Sequence, residues 1–237
     1  MTPKPDLSRE DVWKMFDRIS PTYDATNRVI SLGMDQRWRK KIANYFPKGD
    51  DLHLLDLATG TGDQIIALME KSHQLSHATG IDLADDMLQI GKKKLSMKPY
   101  KDRVEMQRAD AQELPFSDNQ FHVATMTFGI RNVPDVSKTL CEIQRILKLG
   151  GKLLLLEFSL PSFLFIRISY LVYLRYILPK VGKWMSKDPH AYAYLNKTIE
   201  TFPCGQAFLD LLQKAGFSKA KRHSLMLGSV TLYEAEK

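Results

Sequence analysis

Four aspartates are spaced around a glycine turn in a way that suits a positively charged nucleoside. Two of them, Asp56 and Asp63, bracket the turn in the run Leu54-Leu55-Asp56-Leu57-Ala58-Thr59-Gly60-Thr61-Gly62-Asp63. Gly60 and Gly62 carry no Cβ, so the backbone can turn sharply on either side of Thr61 and come close to a ligand. Asp82 closes a second apolar run 20 residues after Gly62, where a nucleotide-binding α/β unit places the carboxylate that grips a ribose diol. Asp110, followed by Ala111, ends a third run. So much negative charge repels a pyrophosphate. The dinucleotide fingerprint also lacks its third glycine, Ile65 standing in that place, and no Gly-Lys-Ser/Thr follows to make a phosphate loop. S-adenosylmethionine fits instead, with an adenosine to hold, a sulfonium, an ammonium and no phosphate.

These residues need a scaffold, and the apolar pattern supplies one. Strands are expected at Leu54 to Leu57, Ala78 to Leu83, Val104 to Ala109 and Phe121 to Phe128. Ile65, Ile66, Leu68 and Met69 open a helix after the turn. Val136, Leu140, Ile143, Ile146 and Leu147 recur at helical spacing, and the helix stops at Gly150-Gly151 before a strand from Lys152 to Phe158. Strands alternating with helices predict a parallel sheet covered on both faces, with its site at the carboxyl ends. A helix from Gly205 to Ala215 and two antiparallel strands, Ser218 to Met226 and Ser229 to Ala235, would complete seven strands. This α/β order resembles the class I S-adenosylmethionine-dependent methyltransferase (Rossmann-like) fold, a mainly parallel seven-stranded sheet with helices on both faces. In that fold Asp56, Gly60, Thr61, Gly62, Asp82, Asp110, Ala111 and Thr127 are the expected cofactor contacts. Asp110 could instead be a helix N-cap, and the two threonines structural hydroxyls.

The resemblance narrows along the chain. Met15-Phe16-Asp17, Ser20-Pro21, Tyr23-Asp24, Asn27, Ser31 and Trp38 resemble the N-terminal signature of the ubiquinone/menaquinone biosynthesis C-methyltransferases. Ala109 to Phe116, Thr127-Phe128-Gly129-Ile130-Arg131-Asn132-Val133 and the segment from Arg145 to Ser159 are similar to that family's later motifs. Leu178-Pro179, Gly182, Tyr192 to Leu195 and Ile199 to Pro203 resemble its late insert. Thr26, Asp35, Leu149 and Tyr233 depart from the pattern. Asp35 is the departure that matters most, since it sets an anion near the expected substrate entrance.

The resemblance implies C-methylation of a reduced, demethylated isoprenoid quinone, demethylmenaquinol to menaquinol, with Ala58-Thr59 closer to the menaquinone branch. The alternatives are a 2-polyprenyl-6-methoxy-benzoquinol in ubiquinone biosynthesis, or another lipid or phenol such as a sterol or phosphatidylethanolamine. An aromatic carbon attacks a methyl group well only when a neighbouring ring hydroxyl has lost its proton, and a phenol of pKa about 10 needs help to do so. Arg131 is placed to stabilise the phenolate as a fixed charge, or else to bridge to Asp135 or Asp24. Asn132 can hydrogen-bond the second ring oxygen. The proton could pass to Asp63, to Asp24 or to water. Tyr23, Asp24, Asn27 and Trp38 are the expected substrate contacts, or packing residues of an N-terminal helical lid.

Composition bounds the remainder. A chain of 237 residues without linker or repeat reads as a single domain, residues 1–237, with the lid at about 8–46 and a substrate-side insert at about 160–202. Cys141 and Cys204 are too few for a disulfide framework, and Cys141 is expected as a small core residue. The six histidines show no HxxxH spacing, so no metal is expected. The start shows no apolar signal-peptide core, which predicts a cytoplasmic protein. A formal charge of +7 admits an RNA-binding, methyltransferase-like protein. The basic residues, however, spread over helix faces (Lys40, Lys41, Lys92, Lys93, Lys94), and no nucleic acid is expected as partner. Between Glu157 and Asp188 the charges are Arg167, Arg175, Lys180, Lys183 and Lys187, with a nearly continuous apolar stretch from Phe163 to Leu178. It is too short to span a bilayer. It is either a core helix on the sheet edge or a lid that rests peripherally on the inner face of an anionic membrane. Oligomeric state leaves no trace in the sequence.

Overall fold

The computed structural model describes residues 11–181 and 189–237. Helices α1 (Val12–Ile30) and α2 (Met34–Lys41) precede a sheet built from β1 (Leu52–Leu57), β2 (Leu75–Asp82), β3 (Val104–Arg108), β4 (Phe121–Thr127), β5 (Leu147–Phe158), β6 (Ser218–Leu225) and β7 (Val230–Glu236). Between them lie α3 (Asp63–Lys71), α4 (Asp85–Ser96), α5 (Val136–Ile146), α6 (Leu164–Val172), α7 (Pro189–Thr201) and α8 (Gln206–Lys214). The strand order is β3-β2-β1-β4-β5-β7-β6, with β7 antiparallel to both of its neighbours. The chain reverses its winding between β1 and β4, which parts the loops at the carboxyl ends of these strands and opens a crevice there.

Alternation along the strands assigns the two faces. Leu55 and Leu57 of β1, Ala124 and Met126 of β4 and Leu153 and Leu155 of β5 pack with Leu140 and Ile143 of α5 and Phe208 of α8. Leu54, Val123, Leu154 and Leu156 point the other way, onto Ile65 and Leu68 of α3, Leu88 of α4, and Trp38. A third cluster joins Val12, Met15 and Ile19 of α1 to Leu174, Leu178 and Ile199 of the insert.

Two sequence expectations need correction. Helix α5 ends at Ile146 and β5 begins at once, running through the glycines with a register shift against β4. Gly150 adopts φ +75°, and a Cβ on Gly151 would sit 2.8 Å from the Lys148 carbonyl oxygen, so the glycines shape a bulge inside the strand. Cys141 is exposed. The buried stripe of α5 is Thr139, Leu140, Ile143 and Ile146, and one residue past Leu140 the helix has turned outward.

Candidate active site

Two cavities meet at the carboxyl end of the sheet. The first, of about 230 Å³, is bounded by the ends of four parallel strands: Ala58 and Gly60 after β1, Asp82 of β2, Ala109, Asp110 and Ala111 after β3, and Thr127 and Phe128 from β4. The second, of about 540 Å³, lies between α1, α2 and the insert, under Phe158 and Tyr173. Phe16, Tyr23 and Phe128 line both. Two residues of the strand ends are non-glycines with positive φ, Ala58 at 49° and Phe128 at 58°. Backbone held this way is strained and sits where the crevice needs it. A Cβ on Gly129 would meet the Ala58 Cβ at 2.7 Å, so the two strand ends touch.

In the first cavity Asp82 organises the turn. One carboxylate oxygen accepts the Gly60 N–H at 2.8 Å and the other accepts the Ala84 N–H at 2.9 Å. Burial pushes this carboxyl up, against those backbone donors. Asp110 accepts the Gln112 N–H at 2.8 Å, a local turn rather than a helix N-cap. Thr127 donates to the Gln64 side-chain carbonyl at 2.9 Å. Asn132 faces this cavity, and its Oδ1 is buried without a donor among the described residues. Among the described residues two carboxylates and no lysine or arginine line the cavity, a donor set that fits a cationic, phosphate-free nucleoside such as S-adenosylmethionine.

Three of the expected cofactor contacts, Asp56, Thr61 and Gly62, stand back from the cavity, as does Asp63. Asp56 is buried beneath the turn, accepts the Thr125 hydroxyl at 2.6 Å, and is pushed by desolvation from 3.8 to about 6. Thr61 donates to Asp24 at 2.6 Å and receives Lys94 at 3.1 Å. Gly62 lies against Met106 and Leu95. Asp63, expected as a proton acceptor, is engaged by Lys94 and by Arg28, the latter at 2.5 Å. Burial works to raise its carboxyl, but Lys94 beside it overrides this and holds it below the usual range. Asp24, the other candidate base, takes Thr61 and Lys94 (2.9 Å) and lines neither cavity. Asp63 and Asp24 thus bind protein cations while Asp56 is sealed under the turn, which residue spacing could not show.

The second cavity is apolar and aromatic. Tyr23, Asn27 and Trp38 line it, Trp38 set edge-on to Phe128 at 6.4 Å, and burial raises the Tyr23 phenol. Asp35 is buried in its wall with Arg28 and with Ser31, whose hydroxyl donates at 2.8 Å. Of the other departures, Thr26 donates within α1 to the Thr22 carbonyl, Leu149 is exposed, and the Tyr233 hydroxyl accepts the Gly205 N–H at 2.7 Å.

Arg131 also lines the second cavity, whereas the adjacent Asn132 faces the first. The two residues therefore stand on opposite sides of the Phe128 wall. Arg131 does not bridge to Asp135, which caps α5 by accepting the Lys138 N–H at 2.9 Å, nor to Asp24. Its partner is Glu157 at the end of β5, 2.6 Å away and equally buried, and the same nitrogen donates to the Phe128 carbonyl at 2.7 Å. The guanidinium lies over the Phe158 ring, and its Nε–H has no acceptor among the described residues. Burial pushes the Glu157 carboxyl up, and Arg131 opposes it. Glu157, Arg28 and Lys94 are the charged residues that sequence reasoning missed. Glu157 carried one signal, an acid at the end of an otherwise apolar strand.

A family model described as the ubiE/COQ5 methyltransferase family matches residues 4–237. The chain belongs to that family. It is an S-adenosylmethionine-dependent methyltransferase. The enzyme is 37% identical over 228 residues to a demethylmenaquinone methyltransferase of Bacteroides fragilis, covering 96% of this chain and 93% of that one. It is 39% identical over 231 residues to a ubiquinone/menaquinone biosynthesis C-methyltransferase of Geotalea daltonii, covering 96% and 97%. Among solved structures, an S-adenosylmethionine-dependent methyltransferase of Methanococcus maripaludis, described as putative, superposes with a TM-score of 0.66 at 20% identity, covering 100% of this chain and 96% of that one. That likeness shows the class I fold.

Proposed function

We propose that this methyltransferase C-methylates a demethylated isoprenoid hydroquinone, demethylmenaquinol in the first place, and that the two cavities divide the work. The single observation that carries the reading is their junction: an anionic crevice and a large apolar pocket that share Phe16, Tyr23 and Phe128 as a common wall. S-adenosylmethionine, when bound, supplies an electrophilic methyl group. Asp82 and Asp110 hold its adenosine, and the unpaired Asn132 Oδ1 offers an acceptor to its amino-acid part. Asn132 thus serves the cofactor side, not the second ring oxygen.

In the apolar pocket the ring lies against Phe128, Trp38 and Tyr23, which exclude water and leave few orientations. Arg131, in the wall of this pocket, stabilises the phenolate oxygen. Glu157 holds that guanidinium in place and moderates its charge. With Asp63 and Asp24 occupied by cations away from both cavities, the phenolic proton leaves through water. The names of the Bacteroides and Geotalea relatives support this substrate class, and the latter name keeps a benzoquinol precursor as the second reading.

The insert supports a meeting with the substrate at a bilayer. Helix α6 has no buried residue: Phe165 is 85% exposed, with Leu164, Ile168 and Val172 beside it, and Phe163 just before the helix is 74% exposed. This favours the lid reading for α6, while Leu174 and Leu178 further along the stretch pack against α1. Val29, Leu32, Ile177 and Met226, all exposed, line the apolar cavity itself, so the greasy surface continues into the pocket. Arg167 is exposed, and Arg175 pairs with Glu200 at 2.5 Å. Lys183 and Lys187, as well as Gly182 of the insert motif, lie outside the described residues. Among the described residues no helix is long and apolar enough to cross a membrane. Peripheral docking on an anionic surface through α6 follows. Transfer of labelled methyl from S-adenosylmethionine to a short-chain demethylmenaquinol, with quinone profiling of a deletion strain, tests the function. Unchanged quinones in that strain would refute it.

A further inference from the structure

At the amino-terminal ends of the strands, opposite both cavities, three histidines stand in a row. His53 near the start of β1 and His77 near the start of β2 are register partners on adjacent parallel strands, so their side chains leave the sheet on one face. His122 of β4 flanks His53 on the other side. The ring centroids are 5.2 Å apart for His53 and His77, and 5.6 Å for His53 and His122. Asp51 precedes β1 in the left-handed region at φ 60°, a conformation few non-glycine residues adopt. One donor atom from each of Asp51, His53 and His77 lies within 4.8 Å of the others.

We propose that Asp51, His53 and His77 form a binding site for a divalent transition-metal ion of the zinc class. Two imidazoles and a carboxylate are borderline donors that suit zinc, cobalt, nickel or copper; magnesium and calcium prefer all-oxygen sets. Three protein ligands leave a coordination position open to water. Asp51 and His77 are exposed and His53 half-buried, so an ion reaches the site from solvent. His122 supports the site without ligating. Its Nδ1 accepts the His53 N–H at 3.0 Å, and its Nε2 lies 3.0 Å from the Lys148 ammonium. That ammonium opposes a second cation at the His122 end, which places the ion between His77 and Asp51. The ion would tie the amino-terminal ends of β1 and β2 together, remote from methyl transfer.

The test uses untagged full-length enzyme stripped with chelator. Titration with Co²⁺, followed by visible absorption, should show one ion bound per chain, displaced by Zn²⁺ and untouched by Mg²⁺ or Ca²⁺. His77→Gln alters an exposed side chain and should weaken Co²⁺ binding by about 100-fold, at or beyond the loss seen when a ligand's own support is removed. Asp51→Asn should weaken it too. His223→Gln, on β6, should bind as wild type. Zn²⁺ should raise the melting temperature of wild type and not of His77→Gln. Absence of saturable Co²⁺ binding below millimolar concentration, or equal binding by wild type and His77→Gln, would overturn the site.

Discussion

Replacing Arg131 alone asks two questions at once, and the structure shows how to separate them. Its side chain is 6% exposed and that of Glu157 1%, so Arg131→Met leaves a buried carboxylate without its cation. Removing one partner of such a pair costs about 3–5 kcal/mol, a melting-temperature drop on the order of 10 °C in a domain of this size. The double variant Arg131→Met/Glu157→Gln removes both charges. The glutamine oxygen can still accept the Phe158 N–H, now made at 2.8 Å, so most of the lost stability should return. Activity should not return with it. If the guanidinium stabilises the phenolate, kcat for a short-chain demethylmenaquinol falls by roughly 10²- to 10³-fold in both variants, the scale of losing one preorganised donor. The activity–pH profile should move to higher pH, because an unaided phenol ionises only in more alkaline solution. Affinity for S-adenosylmethionine should hold, since Arg131 lies outside the cofactor cavity. Thermal melts beside steady-state kinetics make the comparison. A double variant that melts near wild type and turns over at the wild-type rate would show Arg131 to be a bridge and nothing more.

Asp82→Ala should weaken S-adenosylmethionine binding by about 2 kcal/mol or more, through the lost charge-assisted bond and the freed Gly60 N–H; an unchanged calorimetric constant in folded protein would remove Asp82 from the site. The Asp56 carboxyl, raised from 3.8 to about 6, favours the protonated fold. Its contribution is full below the unfolded value and is lost as pH rises through about 6. Asp56→Asn should therefore flatten urea-derived stability between about pH 4 and pH 6, by an amount on the order of 3 kcal/mol; an identical pH slope in both proteins would count against it. Phe163→Asp/Phe165→Asp should reduce sedimentation with anionic liposomes while sparing turnover of a soluble quinol. Equal sedimentation of variant and wild type would exclude α6 as the docking face.

The sheet was legible because its strands are short apolar runs between turn residues, and the two faces of β1 follow from simple alternation at Leu54 and Leu55. Asp82 and Asp110 could be placed because strand ends are positions in sequence. What the sequence concealed depends on distant partners. Asp56 and Asp63 sit symmetrically about the glycine turn, yet one is sealed under it and the other is claimed by Arg28 and Lys94, 35 and 31 residues away. Spacing also hid the histidine row, whose members come from three strands and share no local motif. The insert's apolar stretch could not be told from a core helix, because its exposure depends on the absence of a covering element.

Arg28 holds Asp35 in the wall of the apolar pocket and Asp63 at the first turn of α3, while Lys94 gathers Asp63, Asp24 and Thr61. One helix, α1, is thereby fastened both to the substrate side and to the glycine turn. Ligands on the two sides would then rest on a common support. If a quinol favours the fastened arrangement, it must tighten S-adenosylmethionine by the same factor by which the cofactor tightens the quinol. Salt, which screens the partly exposed members of this ion network, would then weaken that coupling.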